Sequence, residues 1–572
     1  MKQFVCTSSE IKTGVIFEKK IEDKVLIFVR IQNEIKAYTG ICPHQGAKLS
    51  NGIIENDAIV CPLHHRAYAC KNGYDIKTHT VLASYPVVVE GDNVYVEFVS
   101  ERVVPTSGCT RTIDDLPQPK GKFFVGNLPE FKAGNKPTVL EKWNKECGPI
   151  FKISLMGKKF IVSSDPDFNI QLYKNRPDKF RRFGKIGEVM SEMGIDGVFS
   201  VEGEQWKQHR KITAEALNAR NVQGFFPVIH EVTARLMQRW NARLNTDLVV
   251  DIQKEMMHYT VDVTTRIAFG YDVNSLQQED SVLQKQLEHI FPMINKRITS
   301  PIPFWRILKS KEDKALDKAL KSLEGTIVGF IQEAKNAIQS NPSLKEKPQN
   351  FLQALLVEKE KTGLFTDHEI YGNVFIMLLA GEDTTSNSIS WALYYLAQHP
   401  HVFAKLRAEV DTVLGSDAIL TDVDALATLK YTEAIAMETL RIKPVTPTLF
   451  LESLEDQVVN GLKIKKGVTV MMQSKVAQTS DAHFSNAEAF IPERWLADST
   501  MERHNTDAFR TFGAGPRFCP GKNLALHEMK MALSMIAKNF DPSFAVKPED
   551  VKERFAFTLF PENLMLRIKK RV

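Results

Sequence analysis

The sequence predicts a multidomain chain: a small all-β unit followed by a much larger, mainly helical α+β unit. Three observations predict it. Strand-type runs crowd the first hundred or so residues, where two short Cys/His motifs interrupt them. A stretch rich in Pro, Gly and Ser follows, from Glu101 to Lys122. Helical apolar spacing then dominates to the C terminus, where a Gly-rich loop is built around Cys519. At 572 residues the chain is also too long for one ordinary core.

Composition excludes several classes. The net charge of +5 is mild for this length, and no Lys/Arg-rich run with interleaved aromatics marks a nucleic-acid surface. Seven cysteines, odd and sparse, do not read as a disulfide framework. The start, Met1-Lys2-Gln3-Phe4-Val5-Cys6, is not signal-like, and the apolar run around Val374 to Gly381 falls short of the ~18 residues of a membrane span. A cytoplasmic, reducing location is the expectation.

The β unit is placed at 1–100. Lys24–Ile31 is strand-rich, and Tyr85–Glu90 and Val94–Phe98 flank Gly91-Asp92-Asn93 as a hairpin. Two loops carry metal-type residues: Cys42-Pro43-His44 and Cys61-Pro62-Leu63-His64. Tetrahedral zinc is one candidate; a Rieske [2Fe–2S] cluster, with two cysteines on one iron and two histidines on the other, is the second. Each loop offers one Cys and one His, which suits the cluster. This C-x-H … C-x-x-H pattern in an all-β segment resembles the Rieske-type ferredoxins. The resemblance implies Cys42 and Cys61 on one iron, His44 and His64 on the other. Ala47 and Leu63 stand where high-potential relatives carry a disulfide, implying a potential nearer ~ −150 mV than ~ +300 mV. Cys70 reads as a plain buried thiol.

Residues 101–122 read as a linker. About 15 free residues of such chain would span ~20–25 Å and hold the two units at mM effective concentration.

The remaining motifs lie in 123–572. In Phe512-Gly513-Ala514-Gly515-Pro516-Arg517-Phe518-Cys519-Pro520-Gly521, the glycines permit close approach and Pro520 is placed to open a helix over Lys522–Ala537. Cys519 then sits at a helix N-terminus, where N–H groups favour a thiolate, a soft ligand for iron. Arg517 is a cation two residues away. Upstream, Trp206 and Arg210 share a helix face. Thr366–Glu369 forms a capping box that opens a helix running to about Gln398. Its middle, Ala380-Gly381-Glu382-Asp383-Thr384-Thr385, is poor helix sequence inside an apolar run, the kind of lapse that marks function. By spacing alone, Glu438 and Arg441 are a helix-surface ion pair.

Together these motifs resemble the cytochrome P-450 family, from about residue 115 to the end. The resemblance implies haem b with Cys519 as axial thiolate, and propionates held by Trp206, Arg210 and Arg517. Phe512 belongs to the haem loop, and Gly381 leaves room beside the iron. Thr384 and Asp383 handle dioxygen and its protons. Glu438, Arg441 and Arg494 form a buried structural network, and a hairpin near Phe557–Leu564 touches substrate. One family feature is missing: Leu451 and Glu452 occupy the place of an arginine that often meets a propionate. Phe183–Phe199 is expected to be a mobile cover.

The implied activity is monooxygenation of an apolar small molecule with O2. Electrons would pass from the fused cluster, fed by a separate NAD(P)H-dependent flavoprotein ferredoxin reductase, since no G-x-G-x-x-G follows a strand. Two other readings stand beside it: a Rieske unit that acts as redox sensor or docking module, and an electron-transfer or gas-sensing haem protein.

Overall fold

The computed structural model describes residues 2–21, 24–31, 34–42, 48–62, 66–71, 73–75, 80–97, 111–133, 135–244, 248–278, 282–300, 302–496 and 504–571. His44, Ala47, Leu63 and His64 lie outside them. The chain divides into two compact units, Met1–Cys109 and Thr110–Val572.

The first unit is built of short strands. β1 (Lys2–Thr7), β2 (Phe17–Ile21), β3 (Lys24–Ile31) and β4 (Glu34–Thr39) open it. β5 (Ile53–Glu55), β6 (Ala58–Val60) and β7 (Ala67–Ala69) follow, then β8 (Tyr74–Asp75), β9 (Thr80–Val81) and β10 (Ser84–Tyr85). β11 (Val87–Glu90) and β12 (Asn93–Glu97) form the hairpin read from the sequence, with Gly91 at φ +62° in its turn. β12 also pairs with β1, which closes the two ends of the unit on each other. β10, β4, β3 and β2 make a second sheet, and β5, β6 and β7 a third. Two buried clusters fill the unit; Ile27, Val29, Tyr38, Cys42, Leu49, Ile59, Cys61, Tyr68 and Leu82 belong to one of them.

The second unit is mainly helical. Residues 111–122, read above as linker, pack onto it. Arg111 and Lys463 exchange backbone contacts, with Arg111 N–H donating to Gly461 O (2.9 Å) and Lys463 N–H to Arg111 O (2.8 Å). Leu116 is 3% exposed in a core with Ile161, Phe168 and Leu462. Polar composition suggested a linker; backbone pairing and one buried leucine decide otherwise.

The elements that position the site are helices α1 (Leu128–Ala133) and α2 (Lys136–Cys147), strands β13 (Ile150–Leu155), β14 (Lys158–Ser163) and β15 (Phe180–Arg182), and helices α3 (Gly203–Ala216) and α4 (Ile252–Phe269). The long helix α5 (Asp367–Gln398), α6 (Lys430–Ile442), strands β16 (Thr448–Ser453) and β17 (Thr469–Gln473), and α7 (Lys522–Asn539) follow. Strands β18 (Lys552–Phe555) and β19 (Leu559–Glu562) form a late hairpin. One sheet has the order β13-β14-β17-β16-β15. Phe183–Phe199 is not loose: it contains a helix, Gly184–Glu192, that buries Ile186, Val189 and Met190.

α5 begins with the expected box: Thr366 Oγ1 accepts from Glu369 N–H, and Glu369 accepts from Thr366 N–H. It runs unbroken through Gly381. Its hydroxyls spend themselves locally, Thr384 Oγ1 donating to Ala380 O (2.7 Å) and Ser388 Oγ to Thr384 O (2.7 Å). A Cβ on Gly381 would lie 2.6 Å from Thr264 Oγ1 of α4, so the glycine is demanded by helix–helix approach.

Candidate active site

A cavity of about 1090 Å³ lies in the second unit, larger than most single-ligand pockets. Cys519 lines one wall, with Phe512, Gly513, Arg517 and Phe518. Ala380, Gly381 and Thr384 of α5 line it as well, and so do Trp206 and Arg210 of α3. The second unit therefore gathers around one space the haem-side residues read from the sequence, Asp383 excepted.

The cysteine loop is shaped by its backbone. Cys519 N–H donates to Phe512 O (2.8 Å), and Gly513 and Gly515 adopt φ +71° and +66°. A Cβ on Gly515 would lie 2.3 Å from Tyr173 O, so no other residue fits there. α7 begins at Lys522, the start read from the sequence, two residues after Pro520. The Cys519 sulfur consequently meets the N–H groups of Gly521 and Lys522 from outside the helix. Burial nevertheless raises the free thiol, outweighing these donors and Arg210. These N–H groups favour the thiolate form that a bound iron would take as its ligand.

The far side of the loop holds a cationic cluster. Arg517 donates to Val201 O (2.8 Å) and pairs with Glu202, and its guanidinium lies 4.5 Å from the Trp206 ring centre. Arg210 lies over the Phe518 ring at 4.7 Å. Arg176 and Arg182 join them, two residues that the sequence reading missed. Arg176 Nη2 is 3.9 Å from Glu202 Oε1, too long for a hydrogen bond, and its Nε and Nη2 are buried without a partner, as is Arg517 Nε. Arg182 pairs in register with Leu451, so the neighbouring strand supplies a cation where Leu451 and Glu452 do not. Glu452 is instead taken by Arg181. Burial, with Arg176 and Arg517 alongside, pulls Arg182 well below the usual arginine range, and Arg517 is drawn to about 10, burial again the main cause. Arg176 and Arg517 share the one carboxylate of Glu202, and three of their buried donors stay unbonded. Two carboxylates beside a cysteine sulfur would satisfy them, and this is what a haem with its propionates presents. The residues fit that group.

Asp383 stands behind the cavity wall, 7% exposed. Thr558 Oγ1 donates to its Oδ2 (2.7 Å), and Asn387 Nδ2 donates to its Oδ1 (3.0 Å) and to Thr558 Oγ1 (2.9 Å). Burial pushes this carboxyl up to about 6, against the pull of those two hydrogen bonds. Thr558 closes the tip of the β18–β19 hairpin, where Phe555, Ala556 and Phe557 line the cavity.

Glu438, Arg441 and Arg494 are fully buried rather than on a surface. Arg441 Nε and Nη2 donate to the two oxygens of Glu438 (2.8 Å each), Arg494 Nε donates to Oε1 (3.0 Å) and Trp495 Nε1 to Oε2 (2.9 Å). None of the three lines the cavity.

In the first unit, Cys42 and Cys61 are both buried in one cluster, 2% and 1% exposed. Each heads a loop pinched shut by backbone bonds: Leu49 N–H to Gly40 O (2.8 Å) and Cys61 N–H to Arg66 O (2.8 Å). Tyr68 Oη lies 3.2 Å from Cys42 Sγ. Cys70 is a buried thiol pushed up to about 11, chiefly by burial.

A sequence model of cytochrome P-450 matches residues 116–568. The chain belongs to the cytochrome P-450 family. A second model, a Rieske [2Fe-2S] domain, matches residues 1–86, so the protein is a Rieske–P-450 fusion with a haem-thiolate and a [2Fe–2S] cluster as cofactors. Among curated relatives, Protein LUTEIN DEFICIENT 5, chloroplastic, of Arabidopsis thaliana is 27% identical over 74% of this chain and 72% of its own. Cytochrome P-450 97B2, chloroplastic, of Glycine max is 25% identical over 76% and 82%. A bifunctional cytochrome P-450/NADPH–P-450 reductase of Bacillus cereus is 30% identical over 81% of this chain and 43% of its own length. The protein is a P-450 monooxygenase. No helix among the described residues is long and apolar enough to cross a membrane.

Proposed function

We propose that this P-450 oxygenates a mainly apolar small molecule, with electrons reaching the haem from the fused cluster and reaching the cluster from a separate NAD(P)H-dependent flavoprotein reductase. The balance is one substrate C–H, one O2, two electrons and two protons in, one C–OH and one water out. Because a [2Fe–2S] cluster carries one electron at a time, each turnover takes two deliveries. The observation that carries the reading is the buried acid beside an apolar cavity that holds the cysteine.

Haem bound by Cys519 supplies the dioxygen and C–H chemistry. The chain's residues do the rest. Arg176, Arg182, Arg210 and Arg517 would hold the propionates, with the Trp206 indole as a further donor. Phe183, Phe199, Ile376 and Phe557 enclose the substrate and exclude water. Thr384 lines the cavity and its hydroxyl donates to Ala380 O, while Asp383 holds its proton behind the wall with Thr558 and Asn387. Lodged near 6, Asp383 can both release and regain that proton around neutral pH.

The test is haem reduction under carbon monoxide without oxygen, driven by NAD(P)H and a ferredoxin reductase shown to reduce this cluster. Intact protein is compared with His44→Ala that retains haem. Loss of the thiolate-type Soret shift in the variant supports internal transfer. Equal reduction of both removes the cluster from the electron path and favours a sensor or docking role.

A further inference from the structure

The cavity wall at Val198 and Phe199 is held from two sides. On one side the arginine cluster takes its carbonyls: Arg182 Nε donates to Phe199 O (3.1 Å) and Arg517 Nη2 to Val201 O (2.8 Å). On the other the segment lies against α5. A Cβ on Gly372 would meet Asp196 O at 2.0 Å, so only glycine lets the segment approach the helix this closely. The Phe199 ring stands 6.2 Å from the Phe557 ring of the β18–β19 hairpin, and both line the cavity.

One side chain of α5 ties this wall to the helix. Asn373 Oδ1 accepts from Val198 N–H (3.0 Å). Its Nδ2 donates to Glu369 O (2.8 Å) and to His209 Nδ1 of α3 (3.0 Å). The histidine fixes which way round the amide sits. With Nδ1 accepting, the ring proton is on Nε2, which faces Glu369 Oε1 at 3.3 Å. Glu369 is held in turn by Gln205 Nε2 (2.7 Å) and by Thr366 of the capping box. His209 and Asn373 are each 1% exposed. Burial draws the ring below the usual histidine range, against the pull of Glu369, so at neutral pH Nδ1 is unprotonated and able to accept. Turning the amide over would set Oδ1 against the His209 acceptor and Nδ2 against the Val198 donor, two mismatched buried pairs.

We propose that Asn373 and His209 are positioning residues for ligand entry: the pair pins the Val198 amide to α5, and the pin sets how readily the Val198–Phe199 wall opens. Without it the wall is held by its carbonyls alone and is free to move at Val198. Asn373 makes the bond, and His209 acts through it by locking the amide in one orientation. This rests on the cavity being the haem and substrate pocket.

Two quantities are measured on the full-length, haem-loaded protein: hydrogen exchange of the peptide that holds the Val198 amide, and the bimolecular rate at which carbon monoxide binds reduced haem after a light flash. Asn373→Leu keeps the bulk and loses the acceptor. Exchange at Val198 is expected to rise about tenfold, as one buried hydrogen bond goes, and carbon monoxide entry about threefold. His209→Phe leaves Asn373 in place but frees its amide to turn, and moves both quantities the same way by less. Asn373→Asp keeps an acceptor for Val198 N–H and stays within about twofold of the unaltered protein. Ser200 N–H donates to Gly197 O (2.9 Å), so Val198 is the second residue of a turn, a place that suits proline. Val198→Pro therefore removes the donor without touching α5, and carbon monoxide entry rises as in Asn373→Leu. Exchange and entry both unchanged in Asn373→Leu, or an entry rate unmoved in Val198→Pro, overturn the pin and leave the pocket standing. If the unaltered protein forms no thiolate-type carbon monoxide complex, the pocket reading and this inference fall together.

Discussion

Thr558 Oγ1 donates a 2.7 Å hydrogen bond to Asp383 Oδ2, joining the cavity-lining hairpin to the buried acid of α5. The bond favours the carboxylate, so it holds the acid below the value that burial alone would set. Thr558→Val removes it, and the pKa rises from about 6. A hydrogen bond to a charged group, roughly 1.5–3 kcal/mol, makes the upward move about one pH unit or more. The midpoint of turnover against pH moves up accordingly, and Thr558→Ser restores it. An unmoved midpoint would deny Thr558 this role.

Asp383→Asn cannot exchange the proton at all. Product formation per haem is expected to fall about 10²-fold, with no inflection near pH 6. Steady-state rates between pH 5 and 8 check both parts.

Arg182 fills the place across the sheet from Leu451. Arg182→Leu is expected to speed haem loss to a scavenging apoprotein by about tenfold, as one charge-assisted hydrogen bond goes. Arg182→Lys recovers only part, because a point charge replaces a fork. Loss rates equal to the unaltered protein would leave Arg176 and Arg517 as the relevant cations.

Glu438 accepts from Arg441, Arg494, Trp495 and the Ile491 N–H, all in a dry interior. Glu438→Gln strands part of this cation pair. A cost of about 3–5 kcal/mol is expected, read as a lower melting temperature and a poor yield of haem-loaded protein. The Soret spectrum of what does fold should be unchanged.

With Cys42 bound as a thiolate, Tyr68 Oη is the donor at 3.2 Å. A hydrogen bond to a ligand sulfur stabilises the reduced cluster. Tyr68→Phe is therefore expected to lower the potential by roughly 20–40 mV, from about 0.5–1 kcal/mol of differential bonding. Redox titration of the full chain measures it.

Features set by neighbours in the chain were legible in the sequence. Lys24–Ile31 is a strand over those residues, and the Thr366 box opens α5 as its spacing requires. The haem loop was legible too, because its glycines, arginine and cysteine act within ten residues. What long-range register decides was not. Nothing local marks Arg182 as a haem-side cation; its place follows from pairing with Leu451, some 270 residues away. Thr558 reaches Asp383 across 175 residues of chain. Glu438 and Arg441 show the converse: three-residue spacing is the same on a wet face and in a dry core, and only the fold tells them apart.

The packing of 111–122 sets where the protein can be divided. A second unit expressed from residue 123 would lose Leu116 from its core and leave the Leu462 strand without its Arg111 neighbour. It should be sticky and short of haem. Started at 111, the same unit keeps both, and any shortfall in its catalysis then reports the missing first unit rather than a damaged scaffold.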